Sequence, residues 1–478
     1  VFEPVSLCVQ SGRLRLLLSC CLSLSLSGCG VGGYVKRQVV GPPDTGPKIL
    51  PGFIGGVVAD EPRAALTAKE VLATGGNAAD AAVELAFMLA ATLPSRAGLG
   101  GGGACVAYEP GANSPNKGVP EAIMFVPEAP ATAAGDRPAA VPMLARGMYL
   151  LSARYGTRNF ATLVAPAEEV ARDGFPVSRA LAVDLAPVAG PLTADPGSAA
   201  VFAPGGVPLT EGGLLRQPDL ASTLAQLRTL GVGDLYGGIL GDHLAAASAQ
   251  AGGPFITRDL RHAVASLSPT IDTPSGRDTV AFLPLPADGG LAATASFRRL
   301  QQAAGDTQGA EQAGLAAAAR ARTEAGVTVD ALLSQGGAAP ALPPLPASTS
   351  FVVVDRKGGA VACALTMNNL FGTGRIAPGT GVLLAASPAS KPAPLLAAGV
   401  AWSPGNGAFR AAVGASGQNA AGLAAAFAMT EALGGGGPPV PEPGRANSIS
   451  CPAYVPGGTA SCQFTVDPRV AGLALGSN

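Results

Sequence analysis

Histidine is almost missing from this chain. Two occur in 478 residues, His243 and His262. That excludes a His-rich metal centre and leaves little room for a serine–histidine–aspartate triad. Charge is scarce too, at 13% of residues, and it balances at 31 basic against 32 acidic. No basic stripe offers a footprint for phosphates, so nucleic acid is not expected as a partner. The single tryptophan, Trp402, and the scattered phenylalanines read as core. Both histidines fall in amphipathic helical stretches and read as surface or packing residues. Nothing supports a cofactor or metal site, and none is expected.

What is abundant is glycine and proline, 66 and 43 residues. Together they make nearly a quarter of the chain, a fraction that usually marks low complexity. Here 48% of residues are hydrophobic and mean hydropathy is +0.34. The breakers therefore punctuate apolar segments, as in a layered α/β (α+β) protein with many tight turns.

The amino terminus reads as an address. Arg13 and Arg15 precede a short apolar run, residues 16–26, too short to span a bilayer. It ends in Leu26-Ser27-Gly28-Cys29, which resembles a bacterial lipobox. Residues 1–28 are thus expected to be a lipoprotein-type signal peptide, with Cys29 acylated and residues 29–50 a flexible tether. A plain signal peptide is the alternative. The expected location is the bacterial cell envelope, facing the periplasm, on a lipid anchor. Four cysteines lie beyond Cys29. Cys451 and Cys462 flank a Pro/Gly-rich stretch, and a disulfide there suits an oxidising compartment. Cys105 and Cys363 sit in apolar strand-like runs and read as buried thiols.

Periodicity and punctuation predict a strand over 53–58, helices over 62–74 and 78–93, and a strand over 104–108. Further helices are expected over 143–155, 159–172, 217–230, 257–266 and 310–324. Residues 338–347 form a Pro-rich spacer without regular structure. Strands follow over 350–355 and 360–366, joined by Lys357-Gly358-Gly359 as a hairpin. Strands around 381–386 and 409–414, a helix over 420–433 and a C-terminal hairpin complete the chain. The glycine run 98–103 follows a helix and precedes a strand. A dinucleotide fingerprint needs the reverse order, so the run reads as close backbone packing or as main-chain donors beside a substrate.

Its surroundings are more telling. Gly75-Gly76-Asn77-Ala78-Ala79-Asp80-Ala81-Ala82, then Ala97-Gly98-Leu99 and four glycines, closely resemble the opening of the gamma-glutamyltransferase (glutathione hydrolase) family. Further matches follow in order: Glu128-Ala129-Pro130, Arg154-Tyr155-Gly156, Gly174-Phe175-Pro176-Val177-Ser178 and Leu215-Arg216-Gln217-Pro218-Asp219-Leu220. The strongest stretch is 348–374, with Val353-Val354-Asp355, Thr366, Asn368 and Phe371-Gly372-Thr373-Gly374; Asp467-Pro468-Arg469 matches near the end.

The resemblance implies an Ntn-hydrolase four-layer αββα sandwich whose precursor cuts itself. Cleavage frees a residue whose hydroxyl is nucleophile and whose new α-amine is general base. An α-amine has a pKa of about 8 and can hold a proton transiently near neutrality, so no histidine is required. Here the nucleophile falls on Ser348, where the family has Thr, with Thr349 the alternative if the register slips by one. Cleavage is expected after Ala347, at an exposed site free of sheet bonding. It would leave a large-subunit region, 51–347, and a small-subunit region, 348–478, as one folded unit. Thr366 would orient the nucleophile and Asn368 would contact the substrate carboxylate region, both from the same face of one strand. Gly417 and Gln418 would supply main-chain oxyanion donors. The expected substrate is a small γ-glutamyl amide of glutathione type, hydrolysed or transferred through an acyl-enzyme.

The departures concern substrate recognition. The family's arginine for the α-carboxylate falls at Val126, its aspartate for the α-amine near Ser390, and its adjacent serines at Leu396-Ala397. Two charge-assisted contacts worth about 1.5–3 kcal/mol each are lost. Arg96 and Arg375 are candidate substitutes. An Ntn amidase or acylase of different specificity, or a degenerate envelope lipoprotein keeping the fold, are the rival readings.

Overall fold

The computed structural model describes residues 50–131, 133–334, 340–435 and 439–476. The expected signal peptide, Cys29 and all but the last residue of the expected tether lie outside them. From Leu50 onward the chain clusters as one unit.

Two antiparallel sheets stack face to face. The first contains β1 (Gly55–Ala59), β2 (Gly102–Tyr108), β3 (Glu121–Phe125), β4 (Ser266–Pro269), β7 (Thr349–Asp355), β8 (Ala360–Thr366) and β13 (Leu473–Leu475), in the order β13-β1-β7-β8-β2-β3-β4. The second contains β5 (Ile271–Ser275), β6 (Asp278–Phe282), β9 (Ala397–Ser403), β10 (Ala408–Ser416), β11 (Arg445–Val455) and β12 (Gln463–Thr465), in the order β12-β11-β10-β9-β6-β5.

Side chains alternate across each sheet. Along β7, Val352 and Val354 meet Val400, Phe409 and Ala412 of the second sheet. Phe351 and Val353 turn outward onto α1 (Pro62–Ala73), α2 (Ala78–Thr92) and their neighbours. On the far side Ala397, Ala411 and Val413 pack against α7 (Asp288–Gln302), α8 (Thr307–Thr323) and α9 (Ala421–Ala432). Helices, sheet, sheet, helices: this is the expected four-layer αββα sandwich. Between α2 and α7 run α3 (Leu144–Tyr155), α4 (Phe160–Asp173), α5 (Arg179–Leu185) and α6 (Pro218–Leu230).

Several expectations need correction. Cys105 and Cys363 are not free thiols: they face each other in the β2–β8 ladder and form a disulfide. The second disulfide, Cys451–Cys462, is present as expected. The stretch it spans joins the core, with Cys451, Val455 and Cys462 packed into the layer between the sheets. The helix over 257–266 ends at His262, after which β4 forms. The strand around 381–386 shrinks to Val382–Leu383. Both histidines are exposed.

Candidate active site

The glycine run acts by close approach. A Cβ on Gly100, Gly101, Gly102 or Gly103 would sit 2.2–2.4 Å from the carbonyl oxygens of Leu383, Thr366, Phe125 and Ala364 respectively. Real side chains do not tolerate such contacts, so glycine lets β2 lie flush against the end of β8.

That end is where the sequence candidates converge. The β7–β8 ladder pairs Leu365 with Thr349; one further step sets Thr366 opposite Ser348, on the face toward the second sheet. Ser348 is fully buried at the last position before β7, and its Oγ has no hydrogen-bond partner among the described residues. Its neighbours are committed. Thr349 Oγ1 donates to Asp60 Oδ2 at 2.8 Å, and Thr366 Oγ1 accepts from Asn368 N–H at 2.8 Å.

Asp60, at the end of β1, organises the region. Its Oδ2 also accepts from Ser350 N–H (3.3 Å), and its Oδ1 accepts from Asn447 Nδ2 (2.8 Å). Asn447 donates as well to Ser350 O (2.9 Å) and Oγ (3.1 Å). It pairs in the β10–β11 ladder with Gly414, where an added Cβ would lie 3.0 Å from Ser350 Cβ. The two sheets therefore meet here through small polar groups.

The chain turns into α9 at Gly417, φ 112°, and Gln418, φ 57°. Neither amide donates in a turn, loop or cap hydrogen bond among the described residues. Both residues border a cavity of about 350 Å³ that is also lined by Ala347, Asp60, Leu93, Arg96, Arg179, Arg445 and Arg469. Main-chain N–H groups at a helix start favour a developing negative charge.

Asn368 departs from expectation. β8 ends at Thr366, and Asn368 lies beyond it with φ 54°. It does not share a strand face with Thr366; its N–H is capped by the Thr366 hydroxyl, and its Nδ2 donates to Ala386 O at 3.1 Å. The junction after Ala347 is free of sheet bonding but not exposed, since Ala347 is half-buried and Ser348 buried. An intramolecular reaction needs no access for a protease. Val126 is half-buried against the layer between the sheets, and Ser390 is exposed in a turn. Neither borders the cavity.

Of the candidate arginines, Arg375 pairs with Asp136 (2.6 Å) away from the cavity. Arg96 lines it, fixed by Asp184, whose carboxylate accepts from Nε (2.7 Å) and Nη2 (2.6 Å). Burial works against the charge of Arg96, but Asp184 outweighs it and holds the guanidinium above its ordinary pKa. Pro468 and Arg469 of the Asp467-Pro468-Arg469 motif line the cavity too. Burial would push the Asp467 carboxyl up, yet the bonds from Arg469 prevail and hold it low. Asp60, Ser350, Asn447 and Arg179 were not singled out from sequence. Among the described residues no group of three or more His, Cys, Asp or Glu side chains could hold a metal, and no helix is long and apolar enough to cross a membrane.

The glutathione hydrolase proenzyme of Bacillus subtilis (strain 168) is 30% identical over 295 residues, covering 57% of this chain and 49% of that protein. The acylase ACY 1 proenzyme of Pseudomonas sp. (strain SE83) is 33% identical over 227 residues, covering 44% and 41%. The chain spans about half the length of the curated relatives it matches. Cephalosporin acylase from Bacillus halodurans shares the fold, with TM-score 0.71, 18% identity and coverage of 91% and 98%. Helicobacter pylori gamma-glutamyltranspeptidase aligns with TM-score 0.53 and 26% identity over 60% of this chain and 90% of that one. Residues 64–326, over half of the chain, match the family model described as gamma-glutamyltranspeptidase, and the chain belongs to that family.

Proposed function

We propose that this protein is a self-processing Ntn hydrolase that cuts its own chain before Ser348 and then transfers acyl groups from amides to water or to an amine. The observation that carries the reading is the Ser348 hydroxyl. It is buried and, among the described residues, unpartnered, and it sits where an irregular spacer enters the central sheet, beside a cavity bordered by Gly417 and Gln418, whose amides donate in no turn, loop or cap bond among those residues. An unsatisfied buried hydroxyl costs about 1–3 kcal/mol, and such a cost is tolerated where the group has chemistry to do. Two of the relatives named above are proenzymes, which supports the same reading.

In the uncut chain, Ser348 Oγ attacks the Ala347 carbonyl carbon, and the acyl group passes from nitrogen to oxygen. Water then releases the ester, leaving a carboxylate on Ala347 and a free α-amine on Ser348. In turnover that amine takes the Oγ proton as Oγ attacks the substrate amide. The N–H groups of Gly417 and Gln418 meet the oxyanion, and the proton passes to the leaving amine. Thr349 is disfavoured as nucleophile because its hydroxyl is already bonded to Asp60.

Two substrate readings remain in play. γ-Glutamyl amides of glutathione type are the family expectation. An acylase of other specificity accommodates Val126 and Ser390, which offer no charge pair for a glutamyl zwitterion. On a reducing denaturing gel the purified protein should run as two chains, the smaller beginning Ser348-Thr349-Ser350. Ser348→Ala should stay single and lose at least about 10³-fold in anilide hydrolysis, whereas Thr349→Ala should still be cut. Processing or turnover that survives in Ser348→Ala would refute the assignment. Comparing a γ-glutamyl anilide with simple acyl anilides separates the two substrate readings.

A further inference from the structure

Self-cleavage itself identifies the acyl side of the site. Ala347 is the acyl residue of that reaction, so the carbonyl of any later substrate must occupy the place its carbonyl held. The cavity that Ala347 lines is then the acyl pocket. Leu93, Ala180 and Val183 give it apolar walls. Four arginines border it, and three are already matched: Arg96 by Asp184, Arg445 by Glu442, and Arg469 by Asp467 and Glu442. Arg179, exposed at the start of α5, has no side-chain hydrogen bond or ion pair among the described residues. Asp60, the carboxylate lining this cavity, has both oxygens occupied by donors. An anionic end would be repelled from Asp60 and drawn to the rim.

We propose that Arg179 is a specificity-determining residue that selects acyl groups ending in a carboxylate. The inference rests on the acyl-transfer reading. The test compares glutaryl and pentanoyl anilides, equal in chain length and different in terminal charge, on the processed full-length protein. The preference for glutaryl, as a ratio of kcat/KM, should fall about tenfold in Arg179→Ala, mainly through KM. It should partly persist in Arg179→Lys and shrink in 0.5 M salt. A ratio unchanged in Arg179→Ala overturns the proposal. If neither anilide is turned over, the acyl-transfer reading fails on its own, and glutarate answers for the pocket. It should raise the thermal midpoint of the wild type more than that of Arg179→Ala, and equal shifts overturn the proposal.

A second inference rests on a separate observation. The Cys105–Cys363 disulfide joins residues 258 positions apart, one on each side of the Ala347–Ser348 bond. Both are fully buried, in the adjacent strands β2 and β8. Cleavage would place β2 in the large chain and β8 in the small one. We infer that the two chains stay covalently joined after processing. Processed protein should migrate as one species without reductant and as two with it. Cys105→Ala/Cys363→Ala should give two species in both lanes, and peptide mapping should recover a peptide pair linked through these residues. Two species without reductant in the wild type, or free thiols at both positions, overturn the inference and leave self-cleavage standing. If the chain does not cut itself, a protease site inserted within residues 340–344 supplies the cut. Separation without reductant would then overturn the inference.

Discussion

Both oxygens of Asp60 are committed, to Thr349 and Ser350 on one side and Asn447 on the other. Asn at this position would turn a donor toward one of those donors, which costs about 1–3 kcal/mol in a buried site. Asp60→Asn should lower the urea midpoint accordingly and slow cleavage, because Thr349 adjoins the scissile bond. Asn447→Ala should be of similar size. The double variant should cost less than the sum, with a coupling of about 0.5–3 kcal/mol; simple additivity would show that the two residues act separately. Ser348, Thr349, Thr366, Gly417 and Gln418 could be named as candidates because a family pattern points at them. Asp60 and Asn447 could not, since an acid between a strand and a helix start and an asparagine in a Pro/Gly-rich tail carry no local signal. Pairing of β1 with β7 brings Asp60 to Ser350, and the stacking of the two sheets brings Asn447 there.

Elements were legible where punctuation and periodicity agree. The capping box of α2, Asn77 with Asp80, is an example: each side chain accepts the other's backbone N–H. The β7–β8 hairpin turns at Asp355, whose carboxylate accepts from Lys357 and Gly359 N–H at 2.8 and 3.0 Å. What escaped was part of the second sheet, β5, β6 and β9, and the helix α7 on it. β9 reads Ala-Ala-Gly-Val-Ala-Trp-Ser, poor in the branched residues that mark a strand. α7 opens Asp288-Gly289-Gly290, which looks like a turn. Packing gives these glycines their purpose. A Cβ on Gly289 would meet Leu396 O at 2.5 Å, and one on Gly290 would meet Leu283 O at 2.1 Å. The helix can approach the sheet only without side chains there, so the residues that blur the local signal are those the tertiary contact demands.

At the scale of the molecule, a helix buried on every face has to carry its few charges at a cost to stability. Every residue of α2 is buried, including Glu84. Burial, and then repulsion from Glu70, push its carboxyl up to about 8 against the partial relief of Arg158. The folded protein therefore keeps a proton on Glu84 that the unfolded chain releases near pH 4.5. With more protons bound to the native state across that window, stability is fully present below about pH 4.5 and declines as pH rises toward 8. Each unit of difference is worth about 1.4 kcal/mol. Glu84→Gln mimics the protonated form at every pH. Its urea midpoint should match the wild type at pH 4.5 and exceed it at pH 8, by on the order of 4 kcal/mol once converted to free energy. Other buried acids, Asp355 and Asp288 among them, are raised by burial too, so the wild-type slope should be reduced rather than abolished. A variant with the same pH dependence as the wild type would show that Glu84 is ionised in the folded protein and that water or a neighbouring cation compensates it.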